Sequence, residues 1–266
     1  HPTDHQRTRL THALEVAQVA TSIARAVGAN VTLAEAIALG HDCGHGPGGH
    51  AAEEALDAFL PDGFDHGPWG ADVALAELNL CAQTLDGIRN HSWSRPAPAT
   101  IEGEIVSWAD RIAYCAHDLE DAISAQIVRP NELPALVVER LGTCRREQLG
   151  VLIRAVSATA TARGVIGMDA DTAESLAALR KFNYEHIYTR GESLAQSQAV
   201  IAVLQDLVSF YTDNPMALPA AFRADDGVLA AVTYVAGMTD RFAFDQAERL
   251  LGWAHQRLPR GIGHGA

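Results

Sequence analysis

Apolar residues along this chain recur with a helical rather than a strand period. Within 9–27, Val16, Val19, Ile23 and Val27 fall at steps of three and four and build one apolar face. Ile101, Ile105, Trp108, Ile112, Leu119 and Ile123 form a second such stripe. Thr32 and Glu35 read as a T-x-x-E capping box ahead of Leu33, Ile37 and Leu39. Comparable patterns predict helices over 9–27, 32–41, 50–60, 68–80, 101–126, 131–163, 170–186, 193–212 and 228–258, with little sustained β alternation. Turn-forming clusters at Pro61-Asp62-Gly63, Ser94-Arg95-Pro96-Ala97-Pro98 and Asp213-Asn214-Pro215 interrupt them. The fold class is all-α. The glycine-rich tail 260–266 is expected to be mobile.

Certain polar residues sit where this pattern asks for apolar ones. His12 lies four residues before Val16 on the inward face of the first helix, as a core histidine or as a ligand. His41-Asp42 ends the second helix, and an unpaired buried carboxylate there is costly unless a cation relieves it. On 101–126, Asp110, Tyr114, His117, Asp118 and Asp121 share the side opposite the apolar stripe. That side reads either as a solvated acidic face or as a site lining, and the interleaved tyrosine and histidine favour a lining. Two imidazoles in an oxygen-rich shell suit Mn²⁺, Fe²⁺ or Zn²⁺, and Mg²⁺ less well.

Between these segments runs Gly44-His45-Gly46-Pro47-Gly48-Gly49-His50-Ala51-Ala52-Glu53. Its glycines let backbone approach a ligand closely, and His50 and Glu53 share one face of the next helical turn. An imidazole oriented by a carboxylate one turn away is a candidate for proton transfer, although His-x-x-Glu is equally a plain surface pair. His91, just before the Pro96 break, is a further candidate that either reaches the site or caps a helix.

Composition narrows the picture. With 266 residues, 48% of them hydrophobic, the chain can bury a substantial core. The four cysteines, Cys43, Cys81, Cys115 and Cys144, show no C-x-x-C spacing, which points to reduced thiols in a cytoplasmic protein. No apolar run approaches the roughly 18 residues of a membrane span. A formal charge of −13 argues against a nucleic-acid surface, so a polyanionic ligand would depend on a metal and a few local arginines.

Three strings carry a family resemblance. Arg7-Thr8-Arg9-Leu10-Thr11-His12, His41-Asp42-Cys43-Gly44-His45-Gly46-Pro47-Gly48-Gly49-His50 and Ala109-Asp110-Arg111-Ile112-Ala113-Tyr114 resemble the HD-domain deoxynucleoside triphosphate triphosphohydrolases of the bacterial dGTPase type. Tyr234-Val235-Ala236-Gly237-Met238-Thr239-Asp240-Arg241-Phe242 is similar to that family's distal motif. The resemblance implies an HD-domain helical bundle with additional C-terminal helices, as a metal-site core over 1–128 and a helical extension over 129–266, packed as one compact domain. It implies His12, His41, Asp42 and Asp110 as metal ligands and His50 with Glu53 as the catalytic pair. His45 and His66 become phosphate or water contacts, and Arg9, Arg111, Tyr114 and Asp118 substrate contacts. Tyr114 would wall off the sugar and Asp118 would lie near the 3′-hydroxyl. The segment Leu179–Tyr184 resembles one near the triphosphate and contains Lys181, the chain's single lysine, which on an amphipathic helix is otherwise simply solvated.

Cys43 departs from the family's usual Leu or Ile, and the family's N-terminal region, with its base and subunit contacts, would lie before His1, so the chain reads either as a trimmed or naturally short member or as one whose specificity is rebuilt elsewhere. The implied activity is metal-dependent hydrolysis of deoxynucleoside triphosphates to deoxynucleoside and inorganic triphosphate by a homo-oligomer, with one divalent ion of unspecified identity. Other HD phosphohydrolase activities share the ligand set: nucleoside 5′-monophosphatase, guanosine tetraphosphate hydrolase and cyclic-nucleotide phosphodiesterase. A non-catalytic nucleotide sensor is the alternative of a different class.

Overall fold

A computed structural model describes residues 8–224 and 226–259; Arg7 of the first motif and the tail 260–266 lie outside them. All regular structure among the described residues is helical, as the periodicity predicts. The described residues within 8–42 and 75–190 form one compact unit, and the described residues within 43–74 and 191–259 a second.

The first unit is built around α6 (Ile101–Ser124). Packed on it are α1 (Arg9–Val27), α2 (Val31–Gly40), α5 (Ala82–Asn90), α8 (Arg145–Arg163) and α9 (Ala170–Asn183), with α7 (Ala135–Leu141) against α8 and α9. Ile105, Ile112 and Leu119 are buried as the stripe predicts, while Ile101 at its end is 44% exposed. Val106, Ala109, Ala113 and Ala116 are buried as well, so α6 is enclosed over most of its circumference and leaves little room for a solvated acidic face.

Two helix starts fix the site's approach. Thr8 caps α1: its Oγ1 accepts from Thr11 N at 3.2 Å, and Thr11 Oγ1 accepts from Thr8 N at 2.8 Å. This box stands immediately before His12. The start of α2 differs from the sequence expectation, because Asn30 and not Thr32 is the cap. Asn30 Oδ1 accepts from Leu33 N at 3.1 Å, and Asn30 N donates to the buried Glu102 of α6 at 2.8 Å. Asparagine is at least as good a cap as threonine, and the tertiary bond to Glu102 fixes the choice.

Other expected helices are broken. Pattern 131–163 splits at Gly142, whose φ of 92° is left-handed, and 228–258 splits at Gly237 into α11 (Gly227–Ala236) and α12 (Asp240–Leu251). The expected 68–80 resolves into a short helix, a π turn and a 3₁₀ turn, beginning with α4 (His66–Trp69). Helix α5 has no counterpart in the sequence reading. Its buried positions are Thr84, Gly87 and Ile88, and a Cβ on Gly87 would stand 2.5 Å from Ile37 Cδ1. It packs through a close backbone approach instead of an apolar stripe.

The second unit packs α3 (His50–Asp57), α11 and α12 on α10 (Gly191–Asp213). Ala52, Leu56, Val203, Leu204, Leu207, Val232, Val235 and Ala243 are among its buried core. Burying a side chain of Leu or Val size contributes roughly 1.5–3 kcal/mol, enough to hold the polar face of α3 in place.

Candidate metal centre and histidine cluster

In the first unit, His12, His41, Asp42 and Asp110 converge. Helix α1 presents His12 and α6 presents Asp110, with His12 Nε2 3.1 Å from Asp110 Oδ1. His41, the C-terminal cap of α2, is fully buried, and its Nδ1 donates to Ala38 O at 2.7 Å. That bond puts the second proton-binding position, Nε2, toward the carboxylates: Asp42 Oδ1 at 3.2 Å and Asp110 Oδ1 at 3.6 Å. Nε2 is nevertheless buried without a hydrogen-bond partner. Asp42 Oδ2 also lies 3.7 Å from His12 Nε2.

The donor atoms of His12, His41 and Asp42 lie within 4.8 Å of one another, as do those of His41, His91 and Asp110. An imidazole oriented through Nδ1 by a backbone carbonyl, with an orphaned Nε2 among carboxylates, has the donor set and outer support of a divalent-metal site. These residues fit the ion that the sequence implies.

The electrostatics agree. Burial works against charge on His41, yet the Asp42 and Asp110 carboxylates outweigh it and push its pKa up to about 9. Burial likewise opposes charge on His12, and the Asp110 and Asp42 carboxylates again raise its pKa. Burial favours the neutral acid at Asp110, but the two imidazoles hold its pKa well below the carboxylate range. The cluster concentrates negative charge that, without a dication, is balanced by protons on imidazole.

His91 belongs here too. It caps α5, is buried, donates from Nδ1 to Ile88 O at 2.8 Å, and its ring stands edge-on to His41 at 5.0 Å. The reach to the site and the helix cap, alternatives on sequence, are both present. Asp118 accepts from the Tyr188 hydroxyl at 2.5 Å, and Tyr114 accepts from Arg180 Nε at 3.1 Å. Burial pushes the Tyr114 phenol up to about 12 and, with the Asp118 charge, the Tyr188 phenol higher still, so both stay protonated. Arg111 and Lys181 line one cleft of about 460 Å³ in this unit. Lys181 is also 3.8 Å from Glu185, and its side chain is mostly exposed. Arg9, the first residue of α1, is partly exposed. His117 points away from the expected lining: it is buried, bonded to Ala113 O at 2.6 Å and 3.5 Å from Glu15 of α1.

The second unit gathers His45, His50, Glu53 and His66, whose donor atoms also lie within 4.8 Å of one another. Glu53 is the hub. Its Oε2 accepts from His50 Nδ1 at 3.3 Å, and its Oε1 contacts His66 Nδ1, accepts from His66 N at 3.3 Å and lies 3.7 Å from His45 Nδ1. His45 and His66 stack at 3.8 Å. Burial would raise the Glu53 pKa, but His50 and His66 hold it far below the usual range, so it is a permanent anion at neutral pH. The His50 side chain is 82% exposed, open to a ligand. The glycine loop that carries it is tied down: Gly48 N donates to Asp240 Oδ1 at 2.9 Å, and Gly48 and Gly49 have φ of 80° and 64°.

Two family models match the chain. Residues 9–115 match the HD domain, and 166–249 match the phosphohydrolase-associated domain. A deoxyguanosinetriphosphate triphosphohydrolase-like protein of Caldanaerobacter subterraneus subsp. tengcongensis is 37% identical over 250 residues, covering 90% of this chain and 74% of its own. The chain belongs to the HD-domain, deoxyguanosinetriphosphate triphosphohydrolase-like family. Members from Clostridium perfringens (strain 13 / Type A) and Rhodopseudomonas palustris (strain BisB5) are 35% and 32% identical, covering 93% and 94% of this chain and 78% and 83% of theirs. This family assignment makes the protein a metal-dependent nucleotide phosphohydrolase.

Within this family member, Trp93, Arg180 and Tyr188 were not singled out from sequence. Each contacts an expected site residue in the folded chain, Arg111, Tyr114 and Asp118 respectively. Only the aromatic repeat Tyr184-x-x-x-Tyr188 hints at Tyr188.

Proposed function

We propose that this protein hydrolyses deoxynucleoside triphosphates to deoxynucleoside and inorganic triphosphate. The observation that carries the reading is the convergence of His12, His41, Asp42 and Asp110 around the orphaned His41 Nε2, in a chain whose relatives bear the triphosphohydrolase name. When bound, a divalent ion at these ligands would supply positive charge that offsets the negative charge developing on a phosphoryl oxygen.

The remaining chemistry falls to the chain's own groups. Water attacks the α-phosphorus and gives up a proton, the bond to the 5′-oxygen breaks, and that oxygen takes up a proton, so that none is gained or lost overall. His50 is the group for it: Nδ1 is held by the anionic Glu53, which leaves Nε2 to move the proton. His45 and His66, stacked beside Glu53, orient the carboxylate and contact phosphate or water. Arg9, Arg111 and Lys181 balance the triphosphate charge. Asp118, held by Tyr188, takes the 3′-hydroxyl, and the Tyr114 ring closes the space a 2′-hydroxyl needs. Among the described residues no helix is long and apolar enough to cross a membrane. The four free cysteines support a cytoplasmic setting, and a homo-oligomer is part of the proposal.

The test is a screen of the four canonical deoxynucleoside triphosphates and their ribose counterparts with Mn²⁺, Fe²⁺, Mg²⁺ and Zn²⁺, detecting inorganic triphosphate directly. The proposal expects deoxynucleoside and triphosphate in equal amounts, with ribose substrates slower. Stepwise release of orthophosphate, or cleavage confined to monophosphates or cyclic nucleotides, contradicts it.

A further inference from the structure

The cleft of the first unit is lined by Trp93, Trp108, Arg111, Arg180, Lys181 and Tyr184, with small and apolar residues of α9. A chain with 20 basic and 33 acidic residues places three of its cations on this lining and no carboxylate. Within it, the Arg111 guanidinium carbon lies 3.4 Å above the centre of the Trp93 ring. Arg111 Nε is buried without a hydrogen-bond partner, and among the described residues no carboxylate is salt-bridged to this arginine.

The indole is itself fixed. Trp93 Nε1 donates to Ser107 O at 3.1 Å, and its ring meets Trp108 edge-on at 4.7 Å, so two neighbours on α6 hold it from the loop that follows α5. A guanidinium lying on an aromatic face keeps its donors in one plane and free at its edge, which suits the tetrahedral oxygens of a phosphate. Without the plate, an arginine with no carboxylate partner samples many rotamers and loses that freedom on binding.

We propose that Trp93 is a positioning residue that holds Arg111 flat, so that the pair works as one phosphate-binding unit on this cleft. The inference rests on the reading of Arg111 as a contact to substrate phosphate. It adds a residue that acts only through Arg111, and it predicts that phosphate affinity depends on the aromatic plane at position 93 as well as on the charge at 111.

Calorimetric titration of the metal-loaded protein with inorganic tripolyphosphate tests it. Trp93→Ala is expected to weaken binding about tenfold, within the range of a partly desolvated cation–π contact, while Trp93→Phe restores most of it. Arg111→Lys keeps the charge and loses the plane, and the Trp93→Ala/Arg111→Lys pair should weaken binding no further than Arg111→Lys alone. In steady-state assays Trp93→Ala raises KM by a similar factor, with kcat nearly kept and the melting temperature and metal content unchanged. Equal tripolyphosphate affinity in wild type and Trp93→Ala, or full additivity in the double variant, overturns the inference. A wild type that hydrolyses no deoxynucleoside triphosphate but shows the Trp93 effect overturns the proposed activity alone. Hydrolysis with no Trp93 effect overturns only the inference.

Discussion

His12 Nε2 and Asp110 Oδ1 stand 3.1 Å apart although 98 residues separate them in the chain. The contact joins the first turn of α1 to the middle of α6, and the capping box of Thr8 and Thr11 holds the α1 end in place. The approach of these two expected ligands is thus set by the packing of α1 on α6, while His41 and Asp42 come from the cap and turn that end α2.

His50→Ala should leave the metal in place and reduce turnover by about 10²-fold or more, the usual contribution of a positioned acid–base group. Because the His50 side chain is 82% exposed, its loss should barely alter folding. Single-turnover assays alongside metal analysis check this; full activity in His50→Ala would remove this imidazole from the chemistry.

The Glu53 hub sets an acid limit on stability. Its folded pKa lies far below its ordinary value of 4.5, so its stabilisation is fully present above about pH 4.5 and declines as pH falls toward the folded value. Urea unfolding of wild type and Glu53→Gln from pH 7 to pH 3 should show a stability gap that narrows below pH 4.5. A gap that stays constant or widens toward acid would mean that the His50 and His66 imidazoles do not hold the carboxylate as described.

Gly44→Ala should destabilise the protein by about 3 kcal/mol, the upper end for overpacking, because the new Cβ would stand 2.0 Å from His66 O and 2.4 Å from Gly70 N. Both neighbours are backbone and cannot rotate away. Gly167→Ala meets open space and should stay within about 0.5 kcal/mol of wild type. Thermal melts of the two variants provide the comparison, and similar melting temperatures would contradict the tight seating of the glycine loop.

What the sequence made legible follows from the range of the forces involved. Helical periodicity is local, so α1 and most of α6 are visible in it, and His12, four residues before Val16, turns toward Asp110 of α6. The pairing of His50 with Glu53 is also local, one turn apart on α3. Helix α5 escapes because Thr84 and Gly87 share its packing face with a single fully buried apolar residue, Ile88, too little to make a periodic stripe. The cap at Asn30 depends on Glu102, 72 residues away, and the Trp93–Arg111 stack depends on a loop returning to α6. His117 sits on the expected face of α6 by spacing, yet Glu15 on a packed neighbour takes it. Residues of this kind become readable only when the partner helix is in view.

The central claim is that His12, His41, Asp42 and Asp110 hold one divalent ion, and elemental analysis of purified protein after exhaustive dialysis tests it most directly. Wild type should retain about one Mn²⁺, Fe²⁺ or Zn²⁺ per chain at these mixed imidazole and carboxylate ligands. Asp110→Ala and the His41→Ala/Asp42→Ala double variant should fall to background while remaining folded by circular dichroism. Undiminished metal in those variants would contradict the account.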